Sequence, residues 1–157
     1  MIQMAPLAET QWNGADIASL YRRVQKACLP YLPDLRTPDE DRTFFEHLVV
    51  NQPVWAAFGT SLIGFCAFRP GWIDHLYLVS ATQRTGIGSA LLNVALGDQH
   101  EVSLYVFQRN HAARSFYNKH GFLEVSRSDG RRNEEKEPDL LSRWQPSQKT
   151  HPPFRQR

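Results

Sequence analysis

The segment Gln83-Arg84-Thr85-Gly86-Ile87-Gly88-Ser89 is the part of this sequence best equipped for chemistry. It sets two glycines between an apolar run, Trp72 to Val79, and an amphipathic run that begins near Ile87. Where a strand turns into a helix, the first N–H groups of the helix lack partners and the helix dipole presents its positive end. A phosphate or pyrophosphate is favoured at such a place. Gly86 and Gly88 matter because a side chain there would hold phosphate oxygens away from the main chain. Spacing separates this turn from other glycine-rich phosphate sites. A P-loop needs Lys-Ser/Thr after its last glycine, and Gly88 is followed by Ser89-Ala90. A dinucleotide fingerprint needs a third glycine three residues after Gly88, where Leu91 stands.

A second block, Tyr105 to Glu124, carries further chemistry. Val102, Leu104 and Val106 alternate as a strand does. Asn110 then has the character of an N-cap for a helix running to about His120, with Gly121 as its C′ residue. On that helix Ala113, Phe116, Tyr117 and His120 share a face, so Tyr117 is expected to point toward a sheet.

The pattern Gln/Arg-x-x-Gly-x-Gly/Ala, met by Gln83, Gly86 and Gly88, followed by Asn110, Ala113, Phe116-Tyr117 and Gly121-Phe122, resembles the GNAT superfamily of N-acetyltransferases. The resemblance covers about residues 1–144 and implies acetyl-CoA as co-substrate. It assigns the pyrophosphate to the turn of Gln83, Arg84, Thr85, Gly86, Ile87, Gly88 and Ser89. Asn110 would help to hold the CoA arm. Tyr117 would be the acid for the departing thiol, and a backbone N–H near Leu76 to Leu78 would meet the acetyl oxygen. The amide-rich pantetheine arm can pair with Leu76-Tyr77-Leu78 as though it were another strand.

The remaining elements agree in order. Ile2 to Leu7 reads as a first strand. Ile17, Leu20, Tyr21, Val24 and Cys28 form an apolar stripe after Asn13, closed by Pro30 and Pro33. Thr37-Pro38-Asp39-Glu40 is a capping-box pattern with proline at N1, predicting a second helix that buries Phe44, Phe45, Leu48 and Val49. Val54 to Phe58 and Leu62 to Phe68 read as a hairpin. The expectation is an α/β (α+β) fold in one domain, residues 1–144: a mixed, mostly antiparallel sheet of six to seven strands flanked by about four helices. Residues 145–157 are expected to form a mobile polar tail.

Acetyl transfer needs an acid and a route for the amine's proton. A phenol of reference pKa ~10 can protonate a thiolate of reference pKa ~8.5 where the site compensates for the uphill step. An amine near ~10.4 must be deprotonated. Related peptide N-acetyltransferases often use a glutamate on the strand before the asparagine, but Tyr105 holds that position here. Asp74 and His75 are the replacements, on opposite faces of one strand. Asp74 is preferred because it shares a face with Leu76 and Leu78, and a water chain is the third option. Arg84 and Arg114 are either phosphate ligands or solvated surface charges.

Composition bounds the rest. The 157 residues carry a net charge of +2, and much of that excess lies in the tail: without Lys149, Arg155 and Arg157 the 18 basic residues become 15 against 16 acidic ones. Such a body has no broad electrostatic footprint for nucleic acid. No apolar run approaches the ~20 residues of a membrane crossing. Met1 to Trp12 lacks a basic n-region and an apolar h-region, so a cytoplasmic location is expected. Cys28 and Cys66 read as reduced, buried small hydrophobes. His111 and His120 have no metal-ligand spacing, so no metal is expected. The acceptor is expected to be a primary amine of a small molecule or peptide, walled by Tyr31 to Leu35 and the next helix start, with a homodimer left open. Asp34, Asp39, Glu40 and Asp41 favour either a cationic amine or simply the helix dipole. Asn133 to Asp139 reads as a solvated hairpin turn, and Trp144 as a pocket or core residue. Two rivals are a non-catalytic CoA-binding module and a Rossmann-type nucleotide-binding module.

Overall fold

The computed structural model describes residues 1–146, so most of the predicted tail, from 147 onward, lies outside the described residues. Its elements are β1 (Gln3–Pro6), α1 (Gly14–Cys28), α2 (Pro38–Asn51), β2 (Val54–Phe58), β3 (Leu62–Arg69), β4 (Trp72–Leu78), α3 (Ile87–Leu96), β5 (Val102–Phe107), α4 (His111–Lys119), β6 (Leu123–Ser128) and β7 (Asp139–Trp144). Seven strands in a mixed, mostly antiparallel arrangement with four α-helices are the expected α/β content.

The chain divides into two compact units, Met1–Arg69 with Ile73–Gly97, and Pro70–Trp72 with the residues from Asp98 onward. In the first, the strands run in the order β1-β2-β3-β4. β1 is the edge strand, which is why Pro6, with no N–H to donate, is tolerated in it. The core sets Ile17, Leu20 and Val24 of α1 and Phe45 and Leu48 of α2 against Val54, Ala56, Phe65 and Ala67. Phe44, expected on the buried side of α2, is 47% exposed. Asp41 takes the interior position instead and accepts from Arg22 at 2.6 Å. Arg22 also donates to Arg36 O and Asp34, tying α1 to the loop before α2. Asp41 and Asp34 are thus held by an arginine, Asp39 pairs with Arg42, and Glu40 closes the capping box with Thr37. The acidic start of α2 is accounted for within the fold.

In the second unit β5-β7-β6 are antiparallel neighbours, and Trp72 pairs in parallel with Ser103. Val102, Leu104 and Val106 are buried, with Phe122, Leu140 and Trp144. α4 ends in a Schellman motif. Phe122 N–H donates to Tyr117 O at 3.0 Å and Gly121 N–H to Asn118 O at 3.1 Å, with Gly121 at φ +91°. The turn between β6 and β7 is tightly tied: Asn133 donates to Glu137 O and accepts from Glu137 N–H, and Arg109 grips the Glu137 carboxylate at 2.7 and 2.8 Å. Glu137 is buried there, so this segment is more than a solvated turn.

Candidate functional site

In the first unit β4 leads through a short 3-10 turn, Ser80–Thr82, into the glycine turn and α3. Val79 N–H donates to Ile63 O of β3 at 2.9 Å. By alternation the main-chain groups of Leu76 and Leu78 therefore point away from β3, while Tyr77 points toward it. β3 and β4 come close because residue 64 is glycine. A Cβ there would meet Leu78 Cδ2 at 2.4 Å and Tyr77 O at 2.9 Å. Sequence reading passed over Gly64, although a lone glycine inside the run LIGFCAF signals such an approach.

The turn is shaped by two left-handed residues, Arg84 at φ 66° and Gly86 at φ 90°. Thr85 Oγ1 donates to Thr82 O, and Gln83 Nε2 donates to Leu78 O at 3.0 Å, stapling the turn to the end of β4. Gln83 N–H is used within the 3-10 turn, donating to Ser80 O at 3.3 Å. Among the described residues, none accepts from the main-chain N–H groups of Arg84, Thr85, Gly86, Ile87, Gly88 or Ser89. The first bond of the helix is Ala90 N–H to Gly86 O at 3.1 Å. Gly86 provides no side-chain cap, and a Cβ built on it meets nothing within 4 Å. Gly88 is buried in the first turn of α3. Six adjacent residues thus present free donors at the positive end of a helix, the arrangement an anion fills.

Asp74 has occupants of its own. Arg69 donates to both its carboxylate oxygens, at 2.9 and 3.0 Å, and Gln52 Nε2 adds a third bond at 2.9 Å. Burial alone would raise its pKa, but the hydrogen bonds from Arg69 and Gln52 prevail and hold the carboxyl below its ordinary range. His75 on the opposite face lies among rings, and burial pushes its imidazole down to about 4. Cys66 is buried and its thiol is pushed up to about 12 by desolvation and then by Asp74, as an inert core thiol should be. Cys28 departs from expectation: it is the last residue of α1 and exposed, with Sγ 3.6 Å from Gln83 Nε2 and 3.7 Å from Ser80 Oγ.

In the second unit Asn110 caps α4, its Oδ1 accepting from Ala113 N–H at 3.2 Å. Arg114 donates to Gln108 O, fixing the turn between β5 and α4. Tyr117 is half-buried on α4, its ring 5.2 Å from Phe116 and 5.4 Å from Phe122. His120 shares that face, with Nδ1 2.8 Å from Phe116 O. Tyr105 is 63% exposed and stacks on Trp72 at 5.6 Å. Trp144 is buried core beside Gly121. Among the described residues no group of His, Cys, Asp and Glu is placed to hold a metal ion, and no helix is long and apolar enough to cross a membrane.

An acetyltransferase (GNAT) domain model matches residues 44–124, just over half of the chain, and the protein belongs to that family. Solved structures agree on the fold. The apo form of YjaB from Escherichia coli is similar with a TM-score of 0.72 at 21% identity, over 92% of this chain and 97% of that one. The PaiA N-acetyltransferase of Thermoplasma acidophilum in complex with coenzyme A gives 0.66 at 17%, over 92% and 99%. The NatC complex bound to Gag peptide and CoA gives 0.66 at 18%, over 92% and 98%. A comparison with curated protein sequences finds no match.

Proposed function

We propose that this protein is an acetyl-CoA-dependent N-acetyltransferase that moves the acetyl group to a primary amine of a small molecule or peptide by direct attack in a ternary complex. The observation that carries this reading is the row of unpartnered N–H groups from Arg84 to Ser89 at the start of α3, which suits the diphosphate of CoA. Leu78 O is already taken by Gln83, so the pantetheine arm is assigned to the N–H and C=O of Leu76 and the N–H of Leu78. A backbone N–H of the same stretch faces the acetyl oxygen as it gains charge. Asn110 steadies the arm through the end of its amide that α4 does not use. Tyr117 gives its phenolic proton to the departing thiolate. The amine's proton goes to Asp74, His75 or water.

The test is acetyl-CoA with a library of small amines and peptides, following free thiol and acetylated product. Tyr117→Phe is expected to lower amine-dependent turnover by about 10²–10⁴-fold while acetyl-CoA affinity stays near wild type. A wild-type protein that binds CoA while no amine stimulates thiol release would instead be a non-catalytic CoA-binding module.

A further inference from the structure

Beside β4, the helices α1 and α2 present rings. His75 lies 6.0 Å from Tyr21 of α1, 5.9 and 5.2 Å from Phe44 and Phe45 of α2, and 6.0 Å from Tyr77 of its own strand. Phe45 is interior, whereas Phe44 is 47% exposed and Tyr21, His75 and Tyr77 each keep part of their surface open. Phe44 also meets Phe45 edge to face at 5.0 Å, so its exposed part continues the buried cluster. A singly exposed phenylalanine needs no explanation, but one continuous with part-open rings on two other elements forms an apolar patch.

The charges that could alter this patch are engaged elsewhere. Arg22 holds Asp34 and Asp41, Arg42 holds Asp39, Glu40 closes the Thr37 cap, and Arg69 with Gln52 holds Asp74. Burial pushes the His75 imidazole down to about 4, so it is neutral at physiological pH. The Tyr21 hydroxyl accepts from Gln25 Nε2 at 2.8 Å. An acceptor with a second ammonium would have to compete with an arginine for one of these carboxylates, and the amides of a peptide lying on rings would leave water without partners. An alkyl or aryl group gains from every part of the patch it covers.

We infer that this patch receives the apolar body of the acceptor, a monoamine carrying an alkyl or aryl group about the size of a phenyl ring. The inference rests on the N-acetyltransferase reading and narrows it. His75 directly precedes the Leu76 to Leu78 stretch to which that reading assigns the thioester end of the donor, so a group resting on the rings keeps its nitrogen near the acetyl carbon. The neutral nitrogen bonds to that carbon as the carbon–sulfur bond breaks; nitrogen loses one proton, and sulfur leaves as the thiol with one gained.

The test measures kcat/KM at saturating acetyl-CoA for phenethylamine, ethylamine, spermidine and a peptide with an N-terminal phenylalanine. Phenethylamine is expected to lead each of the others by at least about tenfold, since even one methylene in an apolar site is worth about 10–200-fold. Phe44→Ala should remove most of its lead over ethylamine through a higher KM, with kcat and acetyl-CoA affinity within about threefold of wild type. Phe44→Glu, which sets a carboxylate on the patch, should shift preference toward spermidine by about tenfold or more. Melting curves establish that the variants are folded, and the wild-type panel decides alone if either is not. A wild type that prefers spermidine or the peptide, or a lead over ethylamine that survives both folded variants, overturns the inference and leaves the transferase reading intact. A wild type that no amine stimulates overturns both.

Discussion

Four α-helices begin among the described residues, and one begins differently from the other three. α1 starts under Asn13, whose Oδ1 accepts from Ala15 and Asp16 N–H at 3.0 and 3.2 Å while Asp16 closes the box at 2.9 Å. α2 has the same reciprocal arrangement between Thr37 and Glu40, and α4 is capped by Asn110. α3 starts at a left-handed glycine with no side-chain cap and a run of free N–H groups before and within its first turn. An uncapped start forgoes roughly 1 kcal/mol that a serine, asparagine or aspartate would supply. The contrast teaches that side-chain capping is the rule for these four helices and that the exception is the turn to which the proposed function assigns the CoA diphosphate. On that reading the ligand's phosphates supply the cap.

The sharpest way to break this comparison is Gly86→Val. At φ 90° a β-branched residue is strained by on the order of 1–3 kcal/mol, and its side chain would fill the open space beside the turn. Acetyl-CoA affinity, measured by calorimetry well below the melting temperature, should fall by at least about tenfold, or ~1.4 kcal/mol. Unchanged affinity would show that the diphosphate sits elsewhere. A smaller effect should appear in the wild type. Acetyl-CoA at about 100 times its Kd stabilises by ~2.7 kcal/mol, a rise of roughly 5–11 °C in melting temperature for a chain of this size. Inorganic pyrophosphate should give a smaller rise that Gly86→Val removes. A ligand that leaves the melting curve of the wild type unmoved would deny that α3 is completed by it.

The same contrast explains what was legible in the sequence. Capping residues and glycines act through the backbone within three or four positions of themselves, so Asn13, Thr37, Asn110, Gly86 and Gly121 could be read in place. The β2–β3 hairpin and the strand–turn–helix around Gly86 followed from periodicity and turn residues for the same reason. Properties set by distant partners were not legible. Asp74 reads as a free carboxylate until Gln52, 22 residues earlier, and Arg69 are seen to hold it. Phe44 is half exposed where a buried ring was expected, and Asp41 takes an interior position because Arg22 of α1, 19 residues earlier, meets it there. Cys28 looked like the end of an apolar stripe, but α1 stops there and its last residue escapes the core.

Asn13→Ala is the smallest change and the control for the others. It removes the two bonds that the Asn13 side chain accepts and leaves only the return bond from the residue-13 N–H to the Asp16 carboxylate, all on an exposed helix start. The cost should be about 1 kcal/mol, read as a melting temperature lower by roughly 2–4 °C. Because α1 makes its own cap, nothing about CoA enters this balance, and acetyl-CoA should raise the melting temperature of Asn13→Ala by the same increment as in wild type. Changes at distant, independent sites add, whereas a ligand that caps α3 replaces what Gly86 lacks and couples only to that turn. If Asn13→Ala and Gly86→Val diminished the acetyl-CoA increment alike, the two helix starts would be equivalent, and the open one could no longer be assigned to the diphosphate.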